Sequence, residues 1–163
     1  MAGTPGATGA QGAQGAQGAQ GALATASAYG YWYTTSTANV NAGQVFTLSS
    51  TTASVGVTNT GGTSFAVQQT GVYMISWQVS GDANGGNEVI SAYVTQNGAQ
   101  IAGSGAKAVT PSVNADWPEA SNTFVVSLNA GDALQLVNAG AQLQINGNIP
   151  TAASASLTII RIA

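Results

Sequence analysis

Histidine and cysteine are both missing from this sequence, and only two cations, Lys107 and Arg161, stand against five acids, Asp82, Glu88, Asp116, Glu119 and Asp132. Without histidine the chain lacks the commonest general base and the commonest metal ligand. Without cysteine it has no thiol nucleophile, no disulfide and no thiolate for zinc, so Ser–His–Asp and Cys–His arrangements are impossible. No cofactor is implied, and the reading is non-enzymatic. Two scattered cations cannot displace counterions from phosphates, which argues against nucleic acid and against an anionic membrane surface. No apolar run approaches the roughly 20 residues of a membrane helix. The residues after Met1 have neither a cationic start nor an apolar stretch, so no secretory signal is read there.

Charged residues make up 4% of the chain, against about 25% in ordinary globular proteins. The surface must therefore be kept in water by hydroxyls and amides. Hydrophobic residues reach 44%, enough to build a core in a chain of 163 residues.

The first residues obey a rule of their own. Glycine stands at Gly3, Gly6, Gly9, Gly12, Gly15, Gly18 and Gly21, in Gly-Ala-Gln triplets for most of that length. At this chain's glycine content such a column arises by chance on the order of once in a million starts. A triple helix explains it, because every third residue faces an axis where only a hydrogen atom fits. A flexible linker has no use for strict spacing. Residues 1–23 are therefore read as a collagen-like stalk about 60 Å long at ~3 Å per residue. With Pro5 its only proline, the stalk is weak alone. Residues 24–163 must bring three chains together.

Beyond Leu23 the pattern changes to alternation. Tyr29, Tyr31 and Tyr33 share one face of an extended segment, with Trp32 on the other. In Val72–Val79, Tyr73, Ile75, Trp77 and Val79 point one way, and Val72, Met74, Ser76 and Gln78 the other. Gln44–Leu48 and Ser64–Gln68 read as short strands, and Glu88–Gln96 alternates up to an Asn97-Gly98 turn. Phe124–Leu128, a turn at Asn129–Asp132, and Leu134–Leu136 form a strand–turn–strand unit, and Leu157–Ile162 closes the chain. No segment has helical spacing. Eight to ten short strands of this kind predict an all-β sandwich or jelly roll.

Two strands are apolar on both faces: the last, with Leu157 and Ile159 opposed to Ile160 and Ile162, and the Val72–Val79 strand. Such strands need a second cover. Neighbouring subunits of a trimer would supply it, which makes Tyr29, Tyr31, Val72, Met74, Ile160 and Ile162 the expected interface. Loops of the same subunit are the alternative cover.

Three segments carry a family likeness. Thr70-Gly71-Val72-Tyr73-Met74-Ile75-Ser76-Trp77 resembles the central strand of TNF-like and complement-globular-head jelly rolls. Leu128-Asn129-Ala130-Gly131-Asp132-Ala133-Leu134-Gln135-Leu136 is similar to their Gly-Asp hairpin, and Ala155–Ala163 to their closing strand. With the glycine triplets in front, the whole chain resembles the BclA-type collagen-like glycoproteins of bacterial spore surfaces. The resemblance implies a homotrimeric TNF-like jelly-roll head on a collagen-like stalk, exposed on a spore exosporium or appendage. It also implies a base protein of that layer as partner, besides the chain itself. A phage fibre, or a head that binds a host glycan or receptor, are the other readings. For a ligand loop the candidates are Asp116, Trp117 and Glu119, two acids beside an aromatic. Asp82 and Glu88 flank an oxygen-rich turn that could suit calcium, but their spacing is not that of an EF-hand.

Overall fold

The structure, a computed structural model, describes residues 1–15, 28–83, 89–109, 118–145 and 152–163. Residues 1–15 are exposed and form no helix or strand in the single chain. Thirteen strands follow in chain order: β1 (Tyr29–Thr34), β2 (Asn39–Val40), β3 (Ser50–Val55), β4 (Val57–Thr60), β5 (Ser64–Val67), β6 (Gly71–Ala83), β7 (Val89–Gln96), β8 (Ala99–Gln100), β9 (Ala106–Val109), β10 (Glu119–Leu128), β11 (Ala133–Asn138), β12 (Leu143–Ile145) and β13 (Ala155–Arg161).

They form two antiparallel sheets. In the first, the central order is β10–β6–β13–β1–β3, and β12, itself paired with β2, takes the last residues of β6. In the second the order is β4–β5–β11–β7, with β8 and β9 sharing the other side of β7. This is a jelly-roll sandwich, in which strands distant in sequence lie side by side. β13 threads between β1 and β6, so the last strand of the chain locks the first into the sheet.

The alternation read from the sequence decides what fills the sandwich. Tyr73, Ile75, Trp77 and Val79 of β6 are buried, as are Leu157 and Ile159 of β13 and Trp32 of β1. From the second sheet Phe65, Ile90, Val94, Leu134 and Leu136 meet them. Trp32 and Phe65 bridge the two sheets, with ring centroids 4.7 Å apart. The Trp32 indole folds back over Gly30 of its own strand, so a Cβ at Gly30 would fall inside the ring. Two polar side chains of the core, Trp77 and Ser104, are paired as burial demands, whereas the buried Thr95 hydroxyl has no hydrogen-bond partner among the described residues. Trp77 Nε1 donates to the Ser104 carbonyl at 2.8 Å, and the buried Ser104 hydroxyl accepts from Val94 N at 3.1 Å.

One expected strand takes another form. Gln44–Leu48 joins no continuous ladder; only an isolated bridge, Val45 to Val137, lies there. Its bonds go to several places: Phe46 N donates to Leu136 O at 2.9 Å, Gln44 O accepts from Asn138 N at 2.9 Å, Gln44 N donates to Asn41 O at 3.0 Å, and Leu48 N donates to Gly62 O at 2.7 Å. Phe46 and Leu48 are fully buried, so the segment serves as a plug between turns.

The two turns singled out in the sequence meet in space. Asn97 and Gly98 both have positive φ, 52° and 83°, and join β7 to β8 as a two-residue hairpin. Asp132 of the other turn accepts from Asn97 Nδ2 at 2.7 Å, Gln96 Nε2 at 2.6 Å and Asn129 N at 2.8 Å. These bonds, the backbone N–H of Asn129 first, hold the Asp132 carboxyl below its ordinary pKa. A depressed carboxyl contributes stability above its unfolded value of about 3.9 and loses it as pH falls through the folded one. Asp132→Asn is expected to cost about 1 kcal/mol at pH 7, allowing for solvent screening at this exposed turn. Denaturant midpoints measured against pH should converge for the two proteins at strongly acidic pH.

Candidate functional site

The most informative surface is the outer face of the first sheet. Antiparallel partners point to the same side, so the register lays its outward residues in rows. One row runs Val55, Tyr29, Ile160, Met74, Val125 across five strands without a polar side chain other than the Tyr29 hydroxyl. The next runs Ala53, Tyr31, Thr158, Ser76, Thr123, with Thr123 Oγ1 bonded to Ser76 Oγ at 2.9 Å. A third runs Tyr33, Ser156, Gln78, Ser121. The face thus grades from apolar at one end to hydroxyl and amide at the other.

Beyond the apolar row lie Val72 and Ile162, tied by Ile162 N to Val72 O at 2.8 Å. Val125 is 59% exposed, Ile162 54% and Val55 48%, while Met74, Ile160 and Val72 are half-buried. All six interface candidates therefore come together: Tyr29, Tyr31, Met74 and Ile160 in the first two rows, Val72 and Ile162 beside them. Val125 and Val55 belong with them and were missed. The signal for Val125 was present in Phe124-Val125-Val126, where consecutive apolar residues must point to both faces.

The relief of this face matches its grading. An apolar depression of about 300 Å³ lies among Tyr29, Gly30, Tyr31, Ala53, Thr158 and Ile160. A wider, polar depression of about 620 Å³ includes Tyr31, Ser76, Gln78, Glu119, Ser121 and Thr158 in its lining. Tyr31 and Tyr33 stack with centroids 5.5 Å apart, forming a rigid aromatic wall beside it. Glu119, the opening residue of β10, is the one charged side chain in these depressions among the described residues.

The remaining candidates are scattered or out of view. Asp116 and Trp117 lie outside the described residues, as do Gly18, Gly21 and Glu88. Asp82 stands on β6 opposite Gln144. Among the described residues no three His, Cys, Asp or Glu side chains gather to hold a metal ion. Also among them, no helix is long and apolar enough to cross a membrane. At Gly3, Gly6, Gly9, Gly12 and Gly15 an added Cβ would meet nothing within 4 Å in the single chain.

Two sheets with this strand order define the jelly-roll class to which TNF-type ligands and complement globular heads belong. Solved structures give the particulars. The Eiger TNF of S. frugiperda is 16% identical over 83% of this chain and 91% of its own, with a TM-score of 0.62. Murine APRIL is 14% identical over 83% of this chain and 98% of its own, also at 0.62. The globular domain of zebrafish complement 1qA protein is 13% identical, over 83% and 98%, at 0.60. At such identities the likeness is one of fold. No protein-family model matches the sequence, and no curated protein does.

Proposed function

We propose that this chain is a non-enzymatic structural protein, a trimeric head that aligns three copies of itself and nucleates their collagen-like stalk. The observation that carries this reading is the apolar row Val55–Tyr29–Ile160–Met74–Val125, a stripe crossing five strands of the first sheet and left open to water in one copy. A sheet face of that kind is ordinarily covered. A closed ring of three copies would set Val125, on the β10 edge of one, against the apolar depression at the β1–β3 end of the next. The polar rows would then line a wetter space near the axis. The glycine column points to the same number of chains. Nothing inside a single chain calls for glycine at those five described positions, whereas the axis of a triple helix does.

The place of such an assembly is an exposed extracellular layer, and the order of glycine triplets, jelly-roll head and Ile-rich final strand favours a spore-surface filament. Sparse charge supports an exposed role, since trypsin has only Lys107 and Arg161 to attack and Arg161 lies in the doubly paired β13. Light scattering of the full chain should return about three times the 16.0 kDa chain mass. Circular dichroism should give a cooperative collagen-type transition, lowered by Gly12→Ala in the middle of the column. A 16.0 kDa particle would overturn the reading.

A further inference from the structure

Asn97-Gly98 is the kind of sequence in which an asparagine side chain most readily loses its amide. The glycine amide nitrogen can attack the Asn side-chain carbon, because glycine offers no side chain to hinder the approach. A C–N bond forms, the side-chain nitrogen leaves as ammonia, and water opens the resulting succinimide to aspartate or isoaspartate. The sum is Asn plus water going to acid plus ammonia. Hydroxide speeds the step by removing the proton from the attacking nitrogen.

The turn around Asn97 is built so as to oppose that attack. Asn97 Nδ2 donates to Asp132 Oδ1 at 2.7 Å, and Asn97 Oδ1 accepts from Ala133 N at 2.9 Å. Its backbone N donates to Ala133 O at 2.8 Å. Both ends of the carboxamide are thus pinned, one to Asp132 in the facing turn and the other to Ala133 at the start of β11, so its carbon cannot swing toward Gly98 N without breaking two bonds at once. Asp132 is itself fixed by Gln96 and Asn129. The residue at 97 also has to carry a φ of 52°, a left-handed conformation that asparagine tolerates better than most. Asparagine therefore suits the turn even though glycine follows it.

We propose that Asp132 guards Asn97 against deamidation, making Asn97 a latent modification site whose conversion would unfasten the two turns. An acid formed at 97 would present oxygens, not an N–H, to the Asp132 carboxylate. Two acceptor-only groups would face each other where a hydrogen bond had been. The damage would thus be self-reinforcing.

Folded protein held at mildly alkaline pH and 37 °C would be digested with pepsin, and conversion at Asn97 read from the amide-to-acid mass gain. Asp132→Ala is expected to raise the rate at Asn97 by about tenfold or more. Asp132→Asn, whose side-chain oxygen can still accept from Asn97 Nδ2, should fall between. Ile159→Ala, which weakens the core but leaves the turn bonds in place, separates loss of the guard from general unfolding. The proposal holds if Asn97 converts fast in Asp132→Ala and slowly in Ile159→Ala. Equal rates in wild type and folded Asp132→Ala, or equal acceleration by Ile159→Ala, would overturn it. None of these outcomes depends on how many copies assemble.

Discussion

Met74→Glu is expected to break the assembly, turning a particle of about three times 16.0 kDa into single chains at micromolar concentration. Met74 is an inner residue of the apolar row, flanked by Ile160 on one side and Val125 on the other. A carboxylate there would lose its water on association and gain no cation, since no Lys or Arg occupies the described rows. An unpaired buried charge costs several kcal/mol, and each of three copies would bear it. In the isolated chain the same side chain is at the surface, so the fold should survive and circular dichroism should stay that of a β protein. Val109→Glu is the control. Val109 is more exposed, at 60%, but belongs to β9 of the second sheet, and its charge should leave the mass unchanged. The opposite pattern would place the contact on the other sheet.

The second large effect comes from a single methyl group. Gly30→Ala is expected to destabilise the fold by about 3–5 kcal/mol, as much as truncating a buried tryptophan. The added Cβ would occupy the space taken by the Trp32 ring. That ring is fully buried against Phe65 and cannot move aside within a packed core. A double-mutant cycle isolates the clash. In a Trp32→Leu background the same Gly30→Ala change should cost less than about 1 kcal/mol, because the shorter side chain leaves the space over residue 30 open. Urea midpoints of the four proteins measure it.

How much of this was readable beforehand differs by element, for physical reasons. β6 announces itself because one face is buried under the other sheet and the period of 2 is kept through Val79. The Asn97-Gly98 hairpin was legible because few residues other than those two adopt consecutive positive φ values at low cost. β3 was not. Ser50–Val55 is a sheet-edge strand whose residues are almost all exposed on both faces, so no alternation marks it. The Gln44–Leu48 segment misled in the opposite way, since Phe46 and Leu48 alternate like a strand but point into the core from a plug. The candidate face was half legible. Doubly apolar strands exposed Met74, Ile160 and Val72, but only the register could show that Val55 and Val125 complete their row. The embrace of Gly30 by Trp32 left no mark, because a glycine in a strand is silent about what lies over it.

β1 begins at Tyr29 directly beside Ile160, and the carbonyl of Ala163 accepts from Val72 N at 2.8 Å. Within the described sandwich β1 therefore starts, and β13 ends, at the same pole. A passenger peptide appended after Ala163 would therefore emerge beside the first residues of both β1 and β6.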